Sequence, residues 1–391
     1  MTQFPKIYIR RNKIDPVKRF HPWIFSGAIK SQEEGIKEGD TVEVYNETGE
    51  YLALGHYNAN NIAVKLLAYE KVTDIESLFL NKFQQAYDLR TRLGLTQCAH
   101  TNCYRLINAE GDGLPGLIVD WYNGTAVIQV HSLGMYHQKE TIVHCLQGVY
   151  GDRLLAVYDK SAGVMPKMGQ NQYLLGEKSD NTVLENGHSF LIDWETGQKT
   201  GFFIDQRDNR ALLSKYAHNK RVLNTFAYSG GFSVYAGAAG ALRVDSVDSS
   251  ASAIDLSKEN IALNDQKDTA HSFYTEDVFE FLTHCAADYN LIILDPPAFA
   301  KNISARHSAV MAYKRINYQA IKKIEAGGMI FTFSCSQVVN IDLFRGAVMA
   351  AAIEARRPVR ILAQLGQGPD HPASIYHPEG HYLKGLVLSV D

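Results

Sequence analysis

Small and acidic residues follow four apolar segments in the second half of the chain, at the points where strands would end. These residues are Gly230, Gly231, Asp248, Ser249, Asp277 and Asp295. In open α/β sheets, ligands bind beyond the carboxyl ends of the strands. The spacing therefore predicts that these side chains line one ligand site.

Each position has a binding role and a structural alternative. Gly230 would let the backbone approach a ligand at a helix N-terminus, and a tight turn without a ligand explains it equally well. Asp248 would accept hydrogen bonds from the two hydroxyls of a ribose, or cap a helix. Asp277 would bind the exocyclic amine of adenine, or act as an ordinary acid in a first helical turn.

The segment LIILDPPAFA is the most distinctive of the four. Pro296 and Pro297 stiffen the chain after Asp295 and remove backbone donors, so an acid and carbonyl oxygens face the site. The chain has neither GxGxxG nor GxxxxGKS/T, which disfavours dinucleotide binding and nucleotide hydrolysis. An adenosine site without a pyrophosphate cradle is what S-adenosylmethionine needs.

The elements that position these residues are strands alternating with helices. From about residue 185 this alternation predicts an α/β fold with a doubly wound, mainly parallel, Rossmann-like sheet in residues 185–391. Residues 1–70 read as short strands of a small β-barrel module. Residues 71–184, which begin with an amphipathic helix in IESLFLNKFQQAYDLRTRLGL, read as a central α/β domain.

Composition narrows the class of protein. The 391 residues are 46% hydrophobic and 21% charged, as in a folded enzyme. No apolar run approaches the roughly 18 residues of a membrane span, so we expect a cytoplasmic protein with no membrane partner. The five scattered cysteines are expected to be reduced thiols.

The net charge of −3 hides a basic N-terminus. Taken alone, such a run is a solvated surface more often than an RNA site. The basic run consists of Lys6, Arg10, Arg11, Lys13, Lys18 and Arg19.

With these residues in place, nearly the whole chain resembles the bacterial PUA-domain-containing class I methyltransferases that make 5-methylcytosine in large-subunit ribosomal RNA. HPWIFSGAI looks like their PUA module, and EGDGLPGLIVD like the start of their central domain. GQKTGFFIDQRDNR, FAYSGGFS, LDPPAFAKN, FTFSCS and HPASIYHPEGHYLKG follow in the family's order. The resemblance implies S-adenosylmethionine as cofactor and ribosomal RNA as substrate.

The family's cofactor contacts carry over by motif. Arg207 would face the methionine carboxylate, for which its planar fork is suited, and a surface arginine is the alternative. The implied cofactor residues are Phe203, Asp205, Arg207, Tyr228, Gly230, Asp248, Ser249, Asp277 and Asp295.

The resemblance also implies the chemistry. C5 of cytosine is a poor nucleophile, so a thiolate must first add at C6, and Cys335 at the end of MIFTFS is the candidate. Asp295 would hold the base near N3 and protonate it, or position ligands as a carboxylate. Many such enzymes have a second cysteine directly after the prolines, where this chain has Ala298, so the general base stays open.

Two other functions compete with this one. LDPPAF also resembles motifs of exocyclic-amine N-methyltransferases, in which case Cys335 would be structural. A ribosome-assembly factor that binds RNA without catalysis is the second alternative. We expect no metal site, although Cys98, His100 and Cys103 lie close together. The sequence leaves the oligomeric state open, with a homodimer as one candidate.

Overall fold

The computed structural model of the protein describes residues 4–166 and 169–391. The described residues form two compact units. The first takes in the chain up to Val183, Ile192–Ile204 and Pro369–Gly380; the second takes in Leu184–Leu191, Asp205–Gly368 and His381–Asp391. The boundaries predicted after residues 70 and 184 stay predictions.

Alternating apolar residues form the strands of an N-terminal sheet in the first unit. Its order is β2-β6-β5-β4-β1-β3, and Ile7, Val44 and Val64 are among the side chains of its core. The strands are β1 (Lys6–Ile9), β2 (Trp23–Phe25), β3 (Ile29–Gln32), β4 (Thr41–Asn46), β5 (Tyr51–Tyr57) and β6 (Ile62–Ala68). A single helical turn, α1 (Asp15–Lys18), carries Pro16 near its start, where the missing N–H costs nothing.

The rest of the first unit is a mixed sheet covered by helices. The predicted helix is confirmed as α2 (Ile75–Arg92), which Asp74 caps and which buries Phe79 and Phe83. The sheet order is β11-β10-β9-β8-β7. Its elements are β7 (Cys103–Asn108), β8 (Leu117–Tyr122), β9 (Thr125–Val130), α3 (Leu133–His137), α4 (Lys139–Tyr150), β10 (Ala156–Asp159) and β11 (Gln172–Leu175).

A distant segment of the chain is anchored in this first unit. The Arg90 guanidinium donates to the Asp112 carboxylate at 2.9 Å and to the carbonyl oxygen of Asp370 at 2.7 Å. Asn108 Nδ2 donates to the carbonyl oxygen of Pro372 at 2.9 Å. Residues 369–380 therefore pack with the N-terminal half of the sequence.

The second unit contains the predicted doubly wound sheet, with order β16-β15-β14-β17-β18-β20-β19. The first five of these strands are parallel, and β20 runs antiparallel to both neighbours. The strands are β14 (Arg221–Thr225), β15 (Arg243–Asp248), β16 (Ala270–Thr275), β17 (Tyr289–Leu294), β18 (Ile324–Ser334), β19 (Val359–Leu365) and β20 (Lys384–Val390). A separate hairpin precedes them, formed by β12 (Thr182–Glu185) and β13 (His188–Leu191).

Helices bury both faces of this sheet. One face packs Leu223 and Ile292 with Tyr313 and Phe344, and the other packs Val222 and Phe331 with Leu213 and Phe232. The helices are α5 (Arg207–Ala217), α6 (Gly231–Ala238), α7 (Ala251–Ala262), α8 (Val278–His284), α9 (Arg306–Lys323) and α10 (Ile341–Ala355). Within the described ranges, no helix combines the length and apolarity that a membrane crossing requires.

Candidate active site

The loop after β14 has an unusual backbone. Phe226 and Tyr228 adopt φ of 54° and 45°, and Gly230 adopts 72°. Bulky residues rarely enter this left-handed region, and such strain concentrates at functional sites. The loop lies at the carboxyl edge of the parallel strands, where the sequence predicted a ligand.

Gly230 also has a structural reason to be glycine. A Cβ there would lie 2.3 Å from Oγ of Ser257 in α7, and Gly230 itself precedes the first turn of α6. The close approach of α7 therefore requires glycine whether or not a ligand binds.

Asp248 ends β15 and fixes this loop. One carboxylate oxygen accepts the backbone N–H of Tyr228 at 3.0 Å, and the other accepts that of Ser250 at 2.9 Å. The residue that caps α7 is Ser250, so the N-cap alternative for Asp248 is wrong. Each carboxylate oxygen keeps a further lone pair, so the pair of oxygens fits a ribose diol. Ser249, beside it, is exposed.

Asp277 serves as the N-cap of α8. Its Oδ1 accepts the N–H groups of Phe279 and Glu280 at 2.9 and 3.1 Å. Within the described part of the chain, Oδ2 accepts no hydrogen bond, and the side chain is exposed. Asp277 therefore has the structural role of capping α8, and Oδ2 can still accept a hydrogen bond from the amine of adenine.

The GFFIDQR motif contains three of the predicted cofactor-binding residues, and their environments differ. Asp205 is buried, and its Oδ2 accepts the hydroxyl of Tyr382 at 2.6 Å. Arg207 begins α5 and is 2% exposed, so the surface-arginine alternative is wrong. Phe203 belongs to the first unit, where the Lys199 ammonium lies 4.7 Å from its ring centre. Its contact with a cofactor stays a prediction.

Cys335 and the LDPP segment meet at the ends of neighbouring strands. β17 and β18 pair in parallel, with Leu294 opposite Thr332. Cys335 Sγ lies 3.9 Å from the carbonyl oxygen of Pro296, and both Cys335 and Asp295 are partly exposed. The predicted nucleophile and the predicted acid therefore lie at one edge of the sheet.

One basic residue near Cys335 was not singled out from the sequence. Lys384 begins β20 and is 8% exposed, and burial lowers its pKa to about 8, although the charge of Cys335 acts to raise it. The family-like string HPASIYHPEGHYLKG contains it, but its position beside Cys335 depends on the antiparallel pairing of β20 with β18.

The described residues contain no recognisable cluster of metal ligands. In residues 4–166 and 169–391, no group of three or more His, Cys, Asp or Glu side chains is placed to hold a metal ion.

Comparison with known proteins identifies the family of this chain. Residues 7–69 match the family described as a PUA-like domain, and residues 166–344 match the S-adenosylmethionine-dependent methyltransferase family. A protein named ribosomal RNA large subunit methyltransferase I from Alteromonas mediterranea is 37% identical over 398 residues, covering 98% of each chain. The protein of the same name from Aeromonas salmonicida is 38% identical, again over 98% of each chain.

Solved structures agree on the fold. A candidate methyltransferase from Streptococcus mutans superimposes with a TM-score of 0.84 at 23% identity, covering 98% of this chain and 100% of that one. Another candidate methyltransferase, solved in complex with S-adenosylhomocysteine, gives a TM-score of 0.84 at 24% identity. S-adenosylmethionine is accordingly the cofactor of this protein. This chain belongs to the S-adenosylmethionine-dependent methyltransferases with an N-terminal PUA-like domain, the family of the proteins named ribosomal RNA large subunit methyltransferase I.

Proposed function

We propose that this protein methylates C5 of a cytosine in large-subunit ribosomal RNA through a covalent adduct between Cys335 and C6. The observation that carries the proposal is the placement of the Cys335 thiol 3.9 Å from the carbonyl oxygen of Pro296, at the edge that also bears Asp295. The names of the relatives support the choice of RNA.

The chemistry requires a nucleophile of this kind. The Cys335 thiolate would form a bond to C6, the electron pair of the C5–C6 double bond would form a C4–C5 double bond, and the C4–N3 electron pair would move onto N3. Asp295 would hold N3 of the base and supply it with a proton. Bound S-adenosylmethionine supplies the methyl group that C5 accepts. Loss of the C5 proton to a base then restores the C5–C6 double bond and expels the Cys335 sulfur, and N3 returns its proton to Asp295.

RNA binding is assigned to the PUA-like module. Phe20 and Phe25 are 47% and 45% exposed, which suits stacking on unpaired bases. Arg11, Lys13 and Arg19 are also exposed and suit phosphate contacts. The target base would leave its stack, because both faces of the ring must be reached. Ribosomal RNA would be met in the cytoplasm.

Trapping with a fluorinated base tests the proposal. With fluorine at C5 there is no C5 proton for a base to remove after methyl transfer, so the covalent adduct should persist. We expect large-subunit ribosomal RNA transcribed with 5-fluorocytidine to give, with S-adenosylmethionine, a protein–RNA species that survives denaturing electrophoresis. Cys335→Ala should form neither this species nor product, while binding S-adenosylmethionine normally. Cys98→Ala is the matched control, because Cys98 is also partly exposed.

Product analysis separates the competing chemistry. C5-methylcytidine and N-methylated nucleosides differ in chromatographic retention after nuclease digestion. Methylation by Cys335→Ala, together with an N-methyl product, would overturn the proposal in favour of the exocyclic-amine reaction. Failure of the wild-type protein to bind S-adenosylmethionine would instead favour a non-catalytic RNA-binding protein.

A further inference from the structure

Lys384 is held beside the Cys335 segment by strand pairing and hydrogen bonds. It lies opposite Ser334 in the antiparallel ladder between β20 and β18. Its Nζ donates to the carbonyl oxygens of Ser336 and Tyr382, both at 2.7 Å. Because Ser336 directly follows Cys335, the ammonium is fixed at the backbone of the segment that carries the thiol.

The buried Lys384 ammonium has no carboxylate partner among residues 4–166 and 169–391. Lys384 is only 8% exposed, and it forms no ion pair with any residue that the structure describes. Burying a cation without a counter-ion is costly. Burial lowers the pKa of Lys384, and the charge of Cys335 acts in the opposite direction to raise it. A thiolate at Cys335 would therefore supply the missing anion.

We propose that Lys384 is a positioning residue that keeps Cys335 in the thiolate form. The inference rests on the proposed role of Cys335 as nucleophile. A neighbouring lysine lowers the pKa of a cysteine because its positive charge stabilises the thiolate. The thiol proton leaves to water, Lys384 keeps its three protons, and no covalent bond forms between them.

Other groups at this edge act against the thiolate or are neutral. Asp295, on the neighbouring strand end, carries a negative charge when ionised. Tyr313 from α9 has its pKa raised to about 12, chiefly by burial, and is neutral at pH 7. The hydroxyl of Tyr382 donates to Asp205. Lys384 is the cation that the structure holds at the backbone of this segment, and a pKa of about 8 leaves it charged at neutral pH.

The test measures the alkylation rate of Cys335 against pH in the full-length protein without RNA or cofactor. Iodoacetamide is the probe, and peptide mass spectrometry reads Cys335 separately from the other cysteines. In the wild type we expect an apparent pKa below the roughly 8.5 of an ordinary cysteine. In Lys384→Met the apparent pKa should rise by about one unit or more, which makes alkylation at pH 7 about tenfold slower.

Two further variants separate charge from packing. Lys384→Arg keeps the positive charge and should retain a lowered Cys335 pKa. Lys160→Met is the matched control, because Lys160 is 7% exposed, donates to the carbonyl oxygen of Gly197 and has its pKa lowered to about 8 by burial. It should leave Cys335 alkylation unchanged. Thermal melting and S-adenosylmethionine binding check that each variant is folded.

The outcomes distinguish this inference from the proposed function. A wild-type Cys335 that titrates at about 8.5 or above overturns the role of Lys384, even if Lys384→Met does not fold. An unchanged profile in folded Lys384→Met does the same and leaves the nucleophile assignment intact. Methylation by Cys335→Ala, by contrast, overturns the nucleophile and leaves the measured charge coupling in place.

Discussion

The backbone N–H of Tyr228 donates to the Asp248 carboxylate at 3.0 Å, which ties the strained loop after β14 to the end of β15. The second carboxylate oxygen holds the N–H of Ser250 at the start of α7. One carboxylate thus organises the two connections at the edge where the cofactor is proposed to bind. The hydroxyls of a ribose would therefore donate to Asp248 oxygens whose positions are already fixed by backbone hydrogen bonds.

Replacement of Asp248 should weaken cofactor binding. We expect Asp248→Ala to raise the Kd for S-adenosylmethionine about tenfold or more, because ribose hydroxyls would be desolvated without an acceptor. Asp248→Asn keeps one acceptor oxygen and should lose less. Titration calorimetry measures both. The control is Asp255→Ala, which removes an exposed ion pair with Lys258 in α7 and should not alter the Kd. An unchanged Kd in Asp248→Ala would remove Asp248 from the site.

The exposed basic residues of the N-terminal module should contribute to RNA affinity. Within the described part of the chain, Arg11, Lys13 and Arg19 form no ion pair, so their charges are available to phosphates. In the triple alanine variant, the Kd for a large-subunit ribosomal RNA transcript should rise about tenfold or more. The slope of the logarithm of the binding constant against the logarithm of the salt concentration should decrease in magnitude by about two, because fewer counter-ions are released. S-adenosylmethionine affinity should not change.

The matched control for this charge removal is a triple alanine variant at Lys220, Lys267 and Lys322. These exposed lysines lie close to the amino ends of β14, β16 and β18, at the edge opposite the proposed site. Filter binding at several salt concentrations compares the two variants. Equal losses in both would mean that the N-terminal run has no special role.

The other cysteines should be dispensable for adduct formation. Burial raises the pKa of Cys145 to about 12 and also raises that of Cys285, so neither is a thiolate at neutral pH. Cys103 is buried as well. Each single serine variant, including Cys98→Ser, should give wild-type trapping with fluorinated RNA. Loss of trapping in a folded variant of this set would contradict the assignment of Cys335.

Acid should destabilise the first unit through His56. This side chain is 1% exposed, neither ring nitrogen has a hydrogen-bond partner among the described residues, and burial lowers its pKa to about 4. The unfolded chain takes up the proton near pH 6.5, so stability is lost as the pH falls from there towards 4. The expected loss between pH 6.5 and 5 is about 2 kcal/mol.

Tryptophan fluorescence can follow this unit selectively, because Trp23, Trp121 and Trp194 all belong to it. In His56→Leu, the loss of unfolding free energy between pH 6.5 and 5, measured by urea denaturation, should be smaller by about 2 kcal/mol. His100→Leu, at an exposed histidine of the same unit, is the control and should leave the dependence unchanged. An unaltered dependence in His56→Leu would assign the effect to other groups.

Short-range patterns were sufficient to predict several of the strands around the site and the first long helix. The apolar runs RVLNTF, VDSVD, LIILD and MIFTFS became β14, β15, β17 and β18, and helical spacing of Phe79 and Phe83 identified α2. These signals are local, because side-chain periodicity follows directly from helix and strand geometry. The acids at strand ends could be found for the same reason, since parallel strands place their carboxyl ends at one edge.

Partners that are distant in sequence were decided by the tertiary structure alone. Arg90 looks like an exposed residue of an amphipathic helix, yet it is fully buried against Asp112 and Asp370. Lys384 comes to Cys335 only because β20 inserts antiparallel beside β18. No periodicity encodes which strands pair across tens of residues, so burial, counter-ions and the resulting pKa values depend on packing. The sequence determined the fold class and the family, and the three-dimensional pairing determined which charges meet.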